Sequence, residues 1–301
     1  MKVAVVGGAG FIGSNLVDAL VDEGKDVIVV DDLSGGYRRN LNPRAPLREI
    51  DIATDSEALT SALNGRELVF LTAALPRVPR SIEDPVGTHA VNVTGALRVL
   101  KAAVDAGVRR VVYSSSSSVY GDQATLPLTE DMVPGPLNPY ACQKYMGEIY
   151  ARNFARIYGL ETVCLRYFNV YGPRQVTEGA YRLVISIFMD QRRLGQALTI
   201  HGDGEQTRDF TWVGDVVRAN ILAGTSDRVG HGEPINVGSG SETSVRRIAE
   251  LIGGPVVHVP PRGFDERFKR AGIQRARDLL GWEPRVQIEE GIRRILSDGA
   301  A

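Results

Sequence analysis

Cysteine, tryptophan, methionine and histidine are all scarce in this chain of 301 residues, with 2, 2, 4 and 4 copies. The two cysteines, Cys142 and Cys164, have no cysteine or histidine near them at metal-ligand spacing. That excludes a disulfide framework and gives no zinc site, so both are read as free thiols and no metal is expected. An excess of either charge is also missing. The 35 basic and 36 acidic residues leave a formal net charge of -1, which excludes a surface built for nucleic acid or an anionic membrane. Residues 1–6 run straight into a glycine-rich turn and are too short for a signal peptide or membrane span, so a cytoplasmic protein is expected. No internal repeat occurs, and the one low-complexity tract is the serine run 114–118.

What is present is an ordinary globular composition, 43% hydrophobic and 24% charged, with enough material for a large core and a smaller lobe. Short apolar runs at 3–6, 27–30, 68–71, 111–114 and 162–166 alternate with helical patterns at 11–22, 56–63, 92–106 and 140–158. This rhythm predicts an α/β fold with a doubly wound parallel sheet. Beyond Asn169 the pattern loosens into loops punctuated by proline and glycine, with a helix near 181–194 and a short segment at 197–201. Residues 209–223 and 234–237 again look like sheet material. The expected division is therefore 1–168 plus roughly 209–238 for a dinucleotide-binding domain, and 169–208 with 239–301 for a second lobe.

Gly7-Gly8-Ala9-Gly10-Phe11-Ile12-Gly13 lies between the first strand and first helix, where a dinucleotide fingerprint belongs. Gly7 permits the tight turn, Gly10 lets backbone amides approach a pyrophosphate, and Gly13 packs helix against strand. The next strand ends at Asp31-Asp32, placing a carboxylate for the adenosine ribose hydroxyls. No arginine directly follows Asp31, and Arg38-Arg39 come only after Gly35-Gly36, so NAD is favoured over NADP. Asp51-Ile52, after the next apolar stretch, is placed at the adenine edge.

Tyr140-Ala141-Cys142-Gln143-Lys144 opens a helical pattern after the proline-bounded segment 134–139, so phenol and ammonium stand one turn apart on one face. A nearby ammonium stabilises phenolate, which makes proton abstraction from a sugar hydroxyl feasible.

Together these segments resemble extended short-chain dehydrogenase/reductases of the nucleotide-sugar epimerase/dehydratase family, over almost the whole chain. The matching stretches are 7–13, 75–81, 114–122, 138–144, 166–175 and 202–210, and the branch most resembled is that of UDP-hexose and UDP-N-acetylhexosamine 4-epimerases. The resemblance implies a Rossmann sheet with a smaller mixed α/β substrate lobe, and adds Ala73, Ala74, Asn92, Ser114 and Tyr167 to the NAD-binding set. Counting back from Val119-Tyr120-Gly121-Asp122 places the catalytic serine at Ser116, with Ser115 and Ser117 as the other choices. Ser116 would then hydrogen-bond the sugar O4, Tyr140 would remove its proton, and Lys144 would also hold the nicotinamide ribose. The family's homodimers use two helices per subunit, which correspond to 92–106 and 140–158.

Sugar 4,6-dehydratases need a further acid and base, carried in the family by Asp-Glu just after the catalytic residue, and decarboxylases commonly place Glu second. Here those positions are Ser117 and Ser118, which favours 4-epimerisation over a dehydratase or a decarboxylase; a reductase of the same family is a further alternative. Glu130 and Asp131 are assigned to a solvated loop. An NAD-binding regulatory protein is the non-enzyme alternative, and retention of Tyr140 and Lys144 argues against it. For the substrate, the resemblance implies Pro79 and Ser81 near the sugar, Thr199, Ile200 and His201 beside the uracil, and Asn169, Arg208 and Arg262 on the diphosphate, with Asp265 on the nucleotide ribose. Phe264 departs from the glycine expected there. UDP-glucuronate epimerases carry threonine and arginine where this chain has Asn169 and Val176, so a neutral hexose or N-acetylhexosamine is expected, with the choice between those two open.

Overall fold

The computed structural model describes residues 1–175, 183–261 and 268–298. The chain opens with β1 (Lys2–Val6), α1 (Phe11–Asp22), β2 (Asp26–Asp31), β3 (Leu47–Glu49), α2 (Ser56–Leu63) and β4 (Leu68–Leu71). Two short helices follow, α3 (Val78–Glu83) and α4 (Pro85–His89), and a wider π-type segment, Ala90–Gly95, leads into α5 (Ala96–Asp105). Next come β5 (Arg110–Ser116), α6 (Pro139–Tyr158), β6 (Glu161–Tyr167), β7 (Val170–Tyr171), α7 (Val184–Arg193) and β8 (Leu198–His201). Then follow β9 (Thr207–Arg208), β10 (Thr211–Trp212), α8 (Val213–Thr225) and β11 (His231–Val237). The remainder holds β12 (Thr243–Ser244), α9 (Val245–Ile252), β13 (Val256–Val259), α10 (Gln274–Leu280) and α11 (Ile288–Asp298).

Seven parallel strands form the central sheet in the order β11-β6-β5-β4-β1-β2-β3. A parallel sheet must be covered on both faces, and the two-residue period of β1 shows how. Val3 and Val5 enter one core with Leu16 and Leu20 of α1 and Val216 of α8, while Ala4 and Val6 enter a second with Leu59, Val99 and Ala103. The chain moves outward from β1 through β2 to β3, then returns to β4 on the other side. This reversal makes a switch point between β1 and β4, and the carboxyl ends of the strands open onto it.

A third core, containing Phe188, Leu198, Phe210, Ile248 and Ile292, joins α7, β8, α9 and α11. Residues 271–282, expected in the second lobe, belong elsewhere: Ala276, Leu280 and Trp282 pack in the sheet-side core, and Trp282 Nε1 donates to the Asp215 carbonyl at 2.9 Å. An indole with its one donor satisfied fits an interior better than a lobe surface. The helical pattern expected at 92–106 begins earlier, with α4, and its first turns are the π-type segment carrying Asn92. Among the described residues no helix is long and apolar enough to cross a membrane.

Candidate active site

Gly7 stands at φ +89°, and a Cβ there would strike the backbone of Ala73. A Cβ on Gly13 would strike the Gly7 carbonyl. These contacts let β1, α1 and the β4 exit come together at the switch point. Gly10 caps α1 with no side-chain hydrogen bond, and the first turn holds no acidic residue, so Phe11, Ile12 and their neighbours present a helix N-terminus suited to an anion. Asp31 is buried and its carboxylate accepts the Ala9 N–H at 2.9 Å and the Leu33 N–H at 2.8 Å. Burial raises its pKa, the two amides oppose the rise, and Asp32 adds to it. Asp32 itself is exposed and caps Ser34, Gly35 lies in open space, and Asp51 closes a turn on the Ala53 N–H at 2.7 Å. Ile52 packs in the second core.

Further expected cofactor residues are engaged inside the protein. Asn92 Oδ1 accepts the Leu75 N–H at 2.7 Å, and its amide donates to Gln143 Oε1 at 2.8 Å, so it clamps the segment after β4 to α6. Ser114 Oγ lies 3.0 Å from the Tyr167 hydroxyl, which donates in turn to Asn220 at 2.9 Å. Ala73 donates its N–H to the Val6 carbonyl at 2.8 Å, and Ala74 follows it, half-buried.

The serine run resolves by strand alternation. Ser114 and Ser116 share one face of β5, and Ser115 points to the other, where it meets Glu148. Asn138 caps α6 by accepting the Ala141 N–H at 3.0 Å, and Pro139 occupies the first turn, where its missing N–H costs nothing. Tyr140 and Lys144 therefore project one turn apart toward the end of β5. Lys144 Nζ donates to the Ser114 carbonyl at 2.8 Å and lies 5.1 Å from the Tyr113 ring centroid. Burial pulls its pKa down to about 8, against an upward pull from Glu148. Burial also pushes Tyr140 up, while a hydrogen bond with Ser116 and the Arg77 charge pull it down. Ser116 Oγ accepts from the Ser118 N–H at 3.2 Å and from its hydroxyl at 2.9 Å.

Sequence reasoning missed Arg77, the cation that acts on the phenol here. It is a non-glycine residue at φ +104°, and such strain gathers at functional sites. Only its position inside the 75–81 stretch pointed toward it. Ser81, expected on the sugar, accepts the Tyr140 N–H at 3.0 Å and donates to the Val78 carbonyl at 2.7 Å, while Pro79 is exposed. Glu130 is not the solvated acid expected: it is half-buried and accepts the Asn236 N–H at 2.8 Å. Asp131 is exposed and paired with Arg275 at 2.5 Å.

A cavity of about 390 Å³ opens in the second lobe between Asn169, Gln191, Thr199, His201 and Arg208. The Asn169 amide nitrogen is buried there without a hydrogen-bond partner. Thr199 is held by both polar atoms of Gln191, at 3.0 and 2.9 Å, and Arg208 donates to the Thr207 carbonyl at 2.8 Å. The Ile200 side chain faces the third core. Arg262 and Asp265 lie outside the described residues.

A doubly wound parallel sheet with a side-chain-free glycine cradle, an uncapped helix N-terminus and a buried carboxylate at its switch point fits a dinucleotide, and defines an NAD-using Rossmann enzyme. The sequence matches the NAD dependent epimerase/dehydratase family over residues 3–238, and the chain belongs to that family. The UDP-glucose 4-epimerase of Thermotoga maritima, solved with UDP-glucose, is 39% identical and superimposes with a TM-score of 0.93, covering 100% of both chains. The UDP-N-acetylglucosamine 4-epimerase of Methanobrevibacter ruminantium, solved with UDP-N-acetylmuramic acid, is 35% identical with a TM-score of 0.92, covering 99% of this chain and 98% of the other. A UDP-N-acetyl-alpha-D-glucosaminuronate decarboxylase of Bacillus cytotoxicus is 34% identical over 97% of this chain and 95% of its own. Relatives thus differ in both sugar and reaction.

Proposed function

We propose that the chain is a nucleotide-sugar 4-epimerase that interconverts UDP-glucose with UDP-galactose or UDP-N-acetylglucosamine with UDP-N-acetylgalactosamine. The observation that carries this reading is the end of β5. Ser116 lies close enough to the Tyr140 phenol to pull its pKa down against burial, and the next two side chains are hydroxyls, with Ser118 donating to Ser116 at 2.9 Å. A dehydration or decarboxylation would call for a carboxylate at those positions.

Bound NAD supplies the reversible oxidising capacity at C4 of the sugar. Gly7, Gly10, Gly13 and the α1 N-terminus would hold its pyrophosphate and Asp31 its ribose. Ser116 orients the sugar O4 hydroxyl, and Tyr140 takes its proton as the 4-keto sugar forms. Lys144, one turn along α6 from the phenol and anchored on the Ser114 carbonyl, would hold the nicotinamide ribose. With the keto sugar turned over, the hydride that bound NAD would hold returns to the other face of C4 while Tyr140 gives the proton back to O4, and the epimer results. Asn169 and Arg208 would hold the diphosphate, the first through its unpartnered amide and the second through its guanidinium.

A second copy of the chain is the proposed partner. Met146, Ile149, Tyr150 and Ile157 form an exposed apolar stripe at helical spacing along α6, and Ile82 of α3 and Val86 of α4 are exposed as well.

Incubation with UDP-glucose, UDP-N-acetylglucosamine and UDP-glucuronate, followed by separation of the products, tests the reading. The expected product is the C4 epimer of one of the first two. Tyr140→Phe is expected to lower kcat by about 10²–10⁴-fold with little change in substrate affinity. A 4-keto-6-deoxy or decarboxylated product would overturn the reading.

A further inference from the structure

Glu148 lies on α6 one turn beyond Lys144 and is fully buried. Arg166 of β6 is 1% exposed and clamps it with two hydrogen bonds, through Nε at 2.9 Å and Nη2 at 2.7 Å. Ser115 donates to the same carboxylate at 2.5 Å from the face of β5 opposite Ser116. The Arg166 guanidinium also lies 4.7 Å from the Tyr120 ring centroid, and the Tyr120 hydroxyl donates to Asn236 of β11 at 2.6 Å. One network thus ties α6 to β5, β6 and β11 directly beneath the catalytic cluster.

Stability is a poor reason to keep such a pair, because desolvating two charges costs about as much as their attraction returns. The pair's location gives a better one. We propose that Glu148 is a positioning residue of this site: held by Arg166, it supplies the counter-charge to Lys144 and pins Ser115 so that Ser116 faces Tyr140. The proposal rests on the reading of Ser116, Tyr140 and Lys144 as the catalytic group.

On α6 Lys144 sits between Tyr140 and Glu148, one turn to either side, and its ammonium lies over the Tyr113 ring of β5; Cys164 of β6 feels Glu148 together with Arg166, Arg152 and Glu233, and Arg77 ahead of α3 acts on Tyr140. Of the two anions, Glu148 and Glu233, Glu148 is the group that opposes the downward pull of burial on the lysine. Without it, burial acts on Lys144 unopposed.

The test follows the Lys144 Cε resonance against pH in lysine-labelled protein, assigned with Lys144→Arg, alongside the pH profile of kcat. In Glu148→Gln the lysine midpoint is expected to fall by about one pH unit or more, a tenfold change in its protonation equilibrium. The kcat profile is expected to move in the same direction, with KM for the nucleotide sugar little changed. Because Glu148→Gln strands the Arg166 charge, a second variant, Glu148→Met with Arg166→Met, replaces the pair by apolar side chains. It is expected to fold and to show a smaller displacement in the same direction, because the Arg166 charge leaves with its partner. A folded double variant with the wild-type lysine midpoint and wild-type kcat profile would overturn the proposal. The resonance needs no substrate, so a protein inactive on every UDP-sugar would sink the epimerase reading and still report on Glu148.

Discussion

Ser116, Tyr140 and Lys144 were legible as residue types at a spacing, but their electrostatics were not. The sequence argues that the ammonium of Lys144 lowers the phenol. In the structure burial raises the phenol and Ser116 and Arg77 oppose the rise, while Lys144 donates to a backbone carbonyl and feels Glu148. A charge acts through distance and burial, and neither can be read from a one-turn spacing. Asp31 is a further case, since burial raises its pKa even with two amides donating to it. The sign follows directly. A carboxyl raised on folding takes up protons more readily in the folded state, so its ionised form costs stability above the folded pKa, and that cost is relieved as pH falls through it. Protonation also removes an acceptor for the ribose hydroxyls. NAD affinity, measured by fluorescence titration, should therefore weaken on acidification before ordinary aspartates titrate. Asp31→Asn should bind NAD more weakly at neutral pH, by about 1.5–3 kcal/mol, and lose that acid dependence.

At the scale of elements, the strands and helices with strong periodicity were readable: β4 and α2 carry the expected bounds, and β5, β6 and α6 extend theirs by one or two residues. Two-residue strands such as β7, β9, β10 and β12 were not, because pairs that short are set by the partner rather than by their own pattern. The π-type turn at Ala90–Gly95 was also hidden, because its widening accompanies Asn92 reaching both Leu75 and Gln143, residues far apart in sequence. The fit of α6 on β5 rests on Gly147, where a Cβ would strike the Tyr113 phenol. Gly147→Ala should destabilise the protein by about 1–3 kcal/mol through overpacking, despite alanine's better helix propensity. Because the helix carries Tyr140 and Lys144, kcat should fall as well. Denaturant melts and steady-state kinetics on the same preparation check both outcomes.

For the molecule as a whole, the α6 stripe is the surface that the interior does not use. If a second copy covers it, Ile149→Glu places a charge in the interface and should shift the protein to monomer in sedimentation velocity, while leaving the far-UV spectrum unchanged. A variant with the wild-type sedimentation coefficient would remove α6 from the interface. The sequence by itself determined the alternation of strand and helix, the glycine turn, the acid at the end of β2 and the Tyr–Lys spacing, because each is a local pattern bound to backbone geometry. Tertiary structure decided that Ser115 turns to Glu148, that Arg77 acts on the phenol, that Asn92 and Ser81 bond Gln143 and the Tyr140 backbone, and that residues 271–282 pack in the sheet-side core. Those outcomes depend on contacts between residues distant in sequence, and on the cost of burying charge, which exists only once the chain has closed around it.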